Sequence, residues 1–244
     1  MFSKKFLCIS KIMNIKYSKK FLMENMMGPN SFRIIEEITN GIKIETGSRI
    51  LDLGCGKGIT SIFLAEKYDS SVFAADLWID PTENYERFKK VDLEEEIIPL
   101  KAEAHQLPFA HGFFDVIVTI DSYHYFGNTE EFFGEHILPL LKENGVFIMA
   151  IPGLKEEFEN GEIPKELRPF WQDNMNFYTK YWWYELFSKN EGITIEKCES
   201  LKCHDEAWKE WLECDNEYAH HDIGMMKAEG GKYFDTIGMI IRKK

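Results

Sequence analysis

Residues 49–64, Arg49-Ile50-Leu51-Asp52-Leu53-Gly54-Cys55-Gly56-Lys57-Gly58-Ile59-Thr60-Ser61-Ile62-Phe63-Leu64, decide how this chain folds. An apolar run containing Ile50, Leu51 and Leu53 also carries an acid, Asp52, and is followed by Gly54, Gly56 and Gly58. Such a run reads as a buried parallel strand, while Ile59 to Tyr68 has the spacing of an amphipathic helix with Ile62, Phe63 and Ala65 turned inward. The segment is a strand, a glycine turn and a helix. Glycine has no Cβ, so backbone at such a turn can approach a ligand closely, and the helix start aims N–H groups at it.

Neighbouring residue types narrow the ligand. A dinucleotide fingerprint needs a third glycine where this chain has Ile59, so the branched side chain argues against NAD. A phosphate-cradling P-loop needs Gly-Lys followed by Ser or Thr, but Lys57 is followed by Gly58. Asp52, two residues before the first glycine, repels phosphate and attracts an ammonium group.

The run Leu51-Asp52-Leu53-Gly54-Cys55-Gly56-Lys57-Gly58 resembles the first motif of class I S-adenosylmethionine-dependent methyltransferases of the type 11-like group. The resemblance implies that Asp52, Gly54, Cys55, Gly56 and Gly58 surround the methionine part of S-adenosyl-L-methionine. It also implies a second acid at the end of the next strand, holding both ribose hydroxyls. Asp76, closing Ser71-Val72-Phe73-Ala74-Ala75-Asp76 with Leu77 beside it, supplies that acid eighteen residues after Gly58. An acid at that distance suits NAD as well, so the glycine pattern makes the choice. Ala102-Glu103-Ala104-His105-Gln106-Leu107-Pro108-Phe109 is similar to the adenine-recognition stretch, with Glu103 in place of the commoner Asp and Ala104 supplying the next N–H. Phe113 to Asp121 is similar to the strand whose end closes over the cofactor near the reacting sulfur, which makes Asp121 a contact. With Leu138 to Met149 the likeness runs from Arg33 to Pro152. Cys55, a small residue between glycines, reads as packing space rather than a nucleophile.

Outside these motifs, Asn30-Ser31-Phe32 opens a helix continued by Ile34, Ile35 and Ile38 and stopped by Gly41. Apolar strands near 49–53, 71–75, 97–101, 115–120 and 145–150 alternate with helices through Leu141, which predicts a doubly wound α/β fold. Two further runs, Ile193 to Cys198 and Thr236 to Arg242, would form an antiparallel edge pair by the resemblance. The expectation is a Rossmann-like, doubly wound seven-stranded, mostly parallel sheet with one antiparallel edge strand and helical lid insertions. Residues 1–24 read as a basic N-terminal extension, with 1–12 a flexible leader and Tyr17 to Met27 the segment available to cap the cofactor. Residues 25–244 read as a single methyltransferase domain with core 33–152 and additions at 152–190 and 200–233.

Composition sets outer bounds. With 244 residues, 44% of them hydrophobic, the chain can bury one substantial α/β core. A formal net charge of -12 argues against nucleic acid as partner. The five cysteines have no regular spacing, which fits a reducing cytoplasm, and no apolar run reaches a membrane span of about 20 residues.

The acceptor is less legible. The first addition packs Phe170, Trp171, Phe177, Tyr178, Tyr181, Trp182, Trp183 and Tyr184 together, either as a helix face of Tyr178, Trp182 and Leu186 on the sheet or as walls of a dry pocket. The second holds Cys198, Cys203, His204, Cys214, His220 and His221 at spacings that match no usual zinc framework, so no metal is assigned. Tyr123 and His124 follow Asp121 and are the candidate catalytic pair, His124 serving as a base or else packed at the strand end. The reading is a cytoplasmic enzyme passing the methyl group of S-adenosyl-L-methionine to a small-molecule acceptor, of unassigned oligomeric state. The alternatives are cyclopropane fatty acid synthase-like methylenation of a lipid, or a cofactor-binding sensor without turnover.

Overall fold

The computed structural model describes residues 18–244. The first seventeen residues, and with them the expected leader 1–12, lie outside the described residues. Seven strands form one sheet: β1 Arg49–Leu53, β2 Ser71–Asp76, β3 Ile97–Lys101, β4 Phe114–Ile120, β5 Leu141–Leu154, β6 Ile193–Ser200 and β7 Phe234–Lys243. Their spatial order is β3-β2-β1-β4-β5-β7-β6. Neighbours from β3 through β5 pair in parallel, while β7 runs antiparallel to both β5 and β6. The late runs therefore do form an antiparallel edge pair, in which the reversed strand lies inside and β6 takes the edge.

Side chains alternate across the sheet with a period of two, so each strand feeds two cores. Ile50, Val116, Val118 and Ile148 face one, packed under α1 Lys19–Asn25, α2 Ser31–Ile38 and α3 Ile59–Tyr68. Leu51, Leu53, Ile117, Phe147 and Met149 face the other, against Tyr123, Phe132 and α5 Lys180–Ser188. Between these helices in sequence lies α4 Pro81–Lys89, started by an Asp80 cap and Pro81 at its first position. Asn30 caps α2 through its side chain, as the sequence suggested.

Three expectations change. Only Glu66 and Lys67 of the ten residues in α3 are exposed, so that helix is enclosed rather than amphipathic, α2 and the N-terminal segment covering the face expected to meet water. No helix joins β3 to β4: residues 102–113 are a loop whose Phe109 and Phe113 rings each lie 5.5 Å from Phe73. In α5 the buried face is Trp183, Leu186 and Phe187, while Tyr178 and Trp182 stack half-buried with centroids 3.8 Å apart. The second addition folds as α6 His204–Leu212 and α7 Glu217–Glu229, tied to the N-terminal segment by the Arg33–Glu210 ion pair at 2.6 Å and the Asn30 N–H to Ala207 carbonyl bond at 3.0 Å.

Candidate active site

Strand order reverses between β1 and β4, and beyond their carboxyl ends lies a cavity of about 360 Å³. The glycine turn is one wall. Gly54 and Cys55 N–H groups both donate to the Ala75 carbonyl, at 2.8 and 3.1 Å, which ties the exit of β1 to the end of β2. Gly54 has φ 74°. A Cβ there would lie 2.4 Å from Cβ of Ser122, so only glycine lets the ends of β1 and β4 close on each other.

Asp52 is fully buried behind this turn and does not itself line the cavity. Its Oδ2 accepts from the Thr60 and Ser61 hydroxyls, both at 2.6 Å, and its Oδ1 has no partner. Burial pushes the Asp52 carboxyl up to about 6, with the Asp76 charge adding and the two hydroxyls opposing. Asp52 thus fixes the first turn of α3, and Thr60, which it holds, carries the contact to the cavity wall. Gly58 caps α3 against the Phe88 ring, also behind the wall.

Asp76 and Leu77 stand opposite the glycine turn. Asp76 Oδ2 accepts the Gly56 N–H at 2.8 Å, and Oδ1 accepts those of Trp78 and Ile79 at 2.8 and 2.9 Å. A carboxylate offers about four lone-pair sites, so this one is fixed in place and still has acceptor capacity toward the cavity. Farther along, Glu103 and Ala104 line the wall. Burial raises the Glu103 carboxyl, but bonds from the His105 ring at 2.7 Å and the His105 N–H at 3.1 Å outweigh it and hold the group below the usual range.

The expected cap is present: Asn25 and Met27 line the cavity, and Gly28 packs so tightly that a Cβ there would sit 2.0 Å from Asp121 Oδ2. Asp121 closes β4 with φ 56° and faces the cavity. Its carboxyl is pushed up to about 8 by burial first and by the nearby Asp222 charge second.

The catalytic pair drawn from the sequence does not reach the cleft. Residues Tyr123–Tyr125 form a tight 3-10 turn that drives Tyr123 into the core, stacked on Phe187 at 5.7 Å, and buries His124 at 2% exposure. Neither lines the cavity, and desolvation pulls the His124 imidazole down to about 3, so it is neutral and its Nδ1 has no partner. The next two residues, Tyr125 and Phe126, take the wall instead. Trp78, 67% exposed, meets Tyr125 edge-on at 5.7 Å across the mouth. Sequence reading passed over Trp78, although two large apolar residues, Leu77 and Trp78, directly after a strand-ending acid were a usable signal.

No residue of 152–233 lines this cavity; the Trp183 and Phe187 rings of α5 belong to the core, while Tyr181 and Tyr184 are exposed. The late cysteines and histidines are dispersed: the His204 ring bonds the Thr236 hydroxyl at 2.9 Å, and Cys198 meets the Lys180 carbonyl at 3.4 Å. Among the described residues no three His, Cys, Asp or Glu side chains converge as a metal set.

A doubly wound sheet with a glycine turn and two strand-ending acids around a switch-point cavity defines a Rossmann-like, nucleoside-cofactor class of domain. Residues 51–149 match the family model described as a methyltransferase domain, so the sheet core of the chain is similar to that family. It is 28% identical over 94 residues to 27-O-demethylrifamycin SV methyltransferase of Amycolatopsis mediterranei, covering 38% of this chain and 35% of that one. Over 154 residues it is 26% identical to glycine/sarcosine/dimethylglycine N-methyltransferase of Actinopolyspora halophila, covering 62% and 27%. The matches thus span about a third of the length of these curated relatives. Among solved structures, geranyl diphosphate methyltransferase in complex with GPP and sinefungin superposes with a TM-score of 0.70 at 13% identity, over 88% of this chain and 78% of that one. Phosphoethanolamine N-methyltransferase 2 of Haemonchus contortus gives 0.71 at 15% identity, over 96% and 60%. At those identities the structural likeness speaks for the fold.

Proposed function

We propose that the cavity binds S-adenosyl-L-methionine and that the domain transfers its methyl group to a small-molecule acceptor. The observation that carries this is the convergence of the Gly54–Gly56 backbone, Asp76, Glu103 and Asp121 on one cavity. Asp76 is the acceptor for the ribose hydroxyls, and Glu103 with the Ala104 N–H suits the adenine edge. The glycine turn takes the methionine part, with Cys55 as a packing element and Asp52 and Gly58 holding the turn from behind. Asp121 faces the reacting end. The bound cofactor supplies an electrophilic methyl group beside a sulfonium. The chain's own part is to orient the acceptor in line and to exclude water, which Met27, Trp78 and Tyr125 do at the mouth. No imidazole base is needed for such a displacement, which agrees with His124 lying outside the cleft. Asn25 and Met27, at the start of the expected domain 25–244, line the cavity.

Isothermal titration of the full chain with S-adenosyl-L-methionine tests the proposal. We expect binding, and we expect Asp76→Ala to weaken it by about tenfold or more through loss of the diol acceptor. Absence of heat at high micromolar cofactor, with the protein folded, overturns the reading.

A further inference from the structure

Asp121 presents a half-buried carboxyl group to the cavity that accepts no hydrogen bond among the described residues. Among the described residues no basic group offsets it, and the charged neighbour that acts on it is another acid, Asp222 of α7. Asp222 is held by the Trp211 indole N–H at 2.8 Å, and among the described residues the basic side chain acting on it is the adjacent His221. Tyr125, whose hydroxyl feels both acids, stands on the same side and meets Trp78. The cavity's own cations are committed elsewhere, Lys57 to the Glu24 carbonyl at 3.3 Å and His105 to Glu103 at 2.7 Å. The Asp121 carboxyl beside the exposed rings of Trp78 and Tyr125, with the Asp222 charge acting on it from outside the lining, forms a wall that repels an anion.

We infer that the methyl acceptor is an amine bound as its ammonium form, its charge held by Asp121, with the Asp222 charge reinforcing it from behind, and its carbon skeleton against the rings of Tyr125 and Trp78. This rests on the methyltransferase reading above and names the substrate class for that site. The chemistry closes. Pairing with the ammonium keeps Asp121 in the carboxylate form that burial alone opposes; the ammonium then gives it one proton, and the freed nitrogen lone pair forms the N–C bond to the methyl group. The C–S bond breaks with its electron pair left on sulfur, the methylated ammonium departs, and Asp121 returns its proton to solvent. Carboxylate, phosphate and diphosphate acceptors are disfavoured by the same wall.

The test uses the full chain loaded with S-adenosylhomocysteine, so that binding is read without turnover. Ethanolamine and benzylamine are each titrated beside an isosteric alcohol and a carboxylate of matched size. At least one amine is expected to bind about tenfold more tightly than its alcohol, with no heat from the carboxylates. Asp222→Asn, which leaves Trp211 an acceptor, is expected to weaken amine binding by about tenfold while S-adenosylhomocysteine affinity stays within about twofold. Trp78→Ala, at an exposed position that does not threaten folding, is expected to weaken amine binding in the same direction. Incubation of the preferred amine with S-adenosyl-L-methionine should then add one methyl mass to nitrogen. Failure to bind S-adenosylhomocysteine overturns the methyltransferase reading itself. Cofactor binding with no amine preference in either set, with carboxylates preferred, or with amine affinity unchanged in Asp222→Asn overturns the amine assignment alone.

Discussion

Asp52 and Asp121 show how much depends on where a carboxyl group sits. Both have folded-state values raised above the ordinary 3.8, to about 6 and about 8, each chiefly by burial. A raised value means the folded state holds its proton longer than the unfolded chain, so the stability each group contributes is complete below 3.8 and is lost as pH rises through the folded value. The protein without cofactor should therefore lose thermal stability across that window. Asp52→Asn should remove the part that falls between about 4 and 6, leaving a decline toward about 8 that belongs to Asp121. Thermal midpoints of both proteins measured from pH 4 to pH 8 check this, and parallel curves would contradict it. His124 works in the opposite direction. Its depressed value gives stability that is present above 6.5 and lost as pH falls toward about 3.

At the scale of elements, the glycine turn and α5 make opposite predictions about binding and folding. Gly54→Ala puts a Cβ 2.4 Å from Cβ of Ser122 at φ 74°, so both stability and cofactor binding should fail together. The expected loss is about 1–3 kcal/mol in urea unfolding, with cofactor affinity reduced beyond calorimetric detection. Trp183→Ala, in a fully buried ring of α5 outside the cavity, should cost about 3–5 kcal/mol of stability while the folded fraction binds cofactor as tightly as before. Weakened binding in that variant would restore the aromatic segment as a lid. Gly28→Ala probes the cap: its Cβ would press on Asp121 Oδ2, so cofactor affinity should fall more than stability does. Comparing its calorimetric affinity with its unfolding midpoint separates the two effects.

Across the whole molecule, the cavity joins two stretches far apart in sequence, the N-terminal cap and the carboxyl edge of the sheet, while the charge of Asp222 in α7 acts on Asp121 from outside its lining. A ligand spanning the cap and the sheet edge should stabilise the folded state by mass action, about 2.7 kcal/mol at a hundredfold excess over Kd. Thermal unfolding with S-adenosylhomocysteine should show that gain, and Asp76→Ala, binding about tenfold more weakly, should cut it to about 1.4 kcal/mol or less at the same ligand concentration.

The residues 49–64 were enough to determine a strand, a glycine turn and a helix, because local apolar patterning and the absence of Cβ act over a few residues and leave few other solutions. The order of the later motifs likewise determined the sheet and brought Gly54, Gly56, Asp76, Glu103 and Asp121 to one edge. What sequence could not determine was which way side chains turn where the chain leaves a strand. One tight turn after β4 buried Tyr123 and His124 and offered Tyr125 and Phe126 in their place. The rings of α5 had the composition of a lid, yet packing on the sheet took Trp183 and Phe187 into the core. Asp222 carried no signal at all in one dimension. Its meaning comes from the charge that α7 brings to bear on Asp121, because Coulomb repulsion and desolvation depend on distances through space that only the tertiary structure fixes.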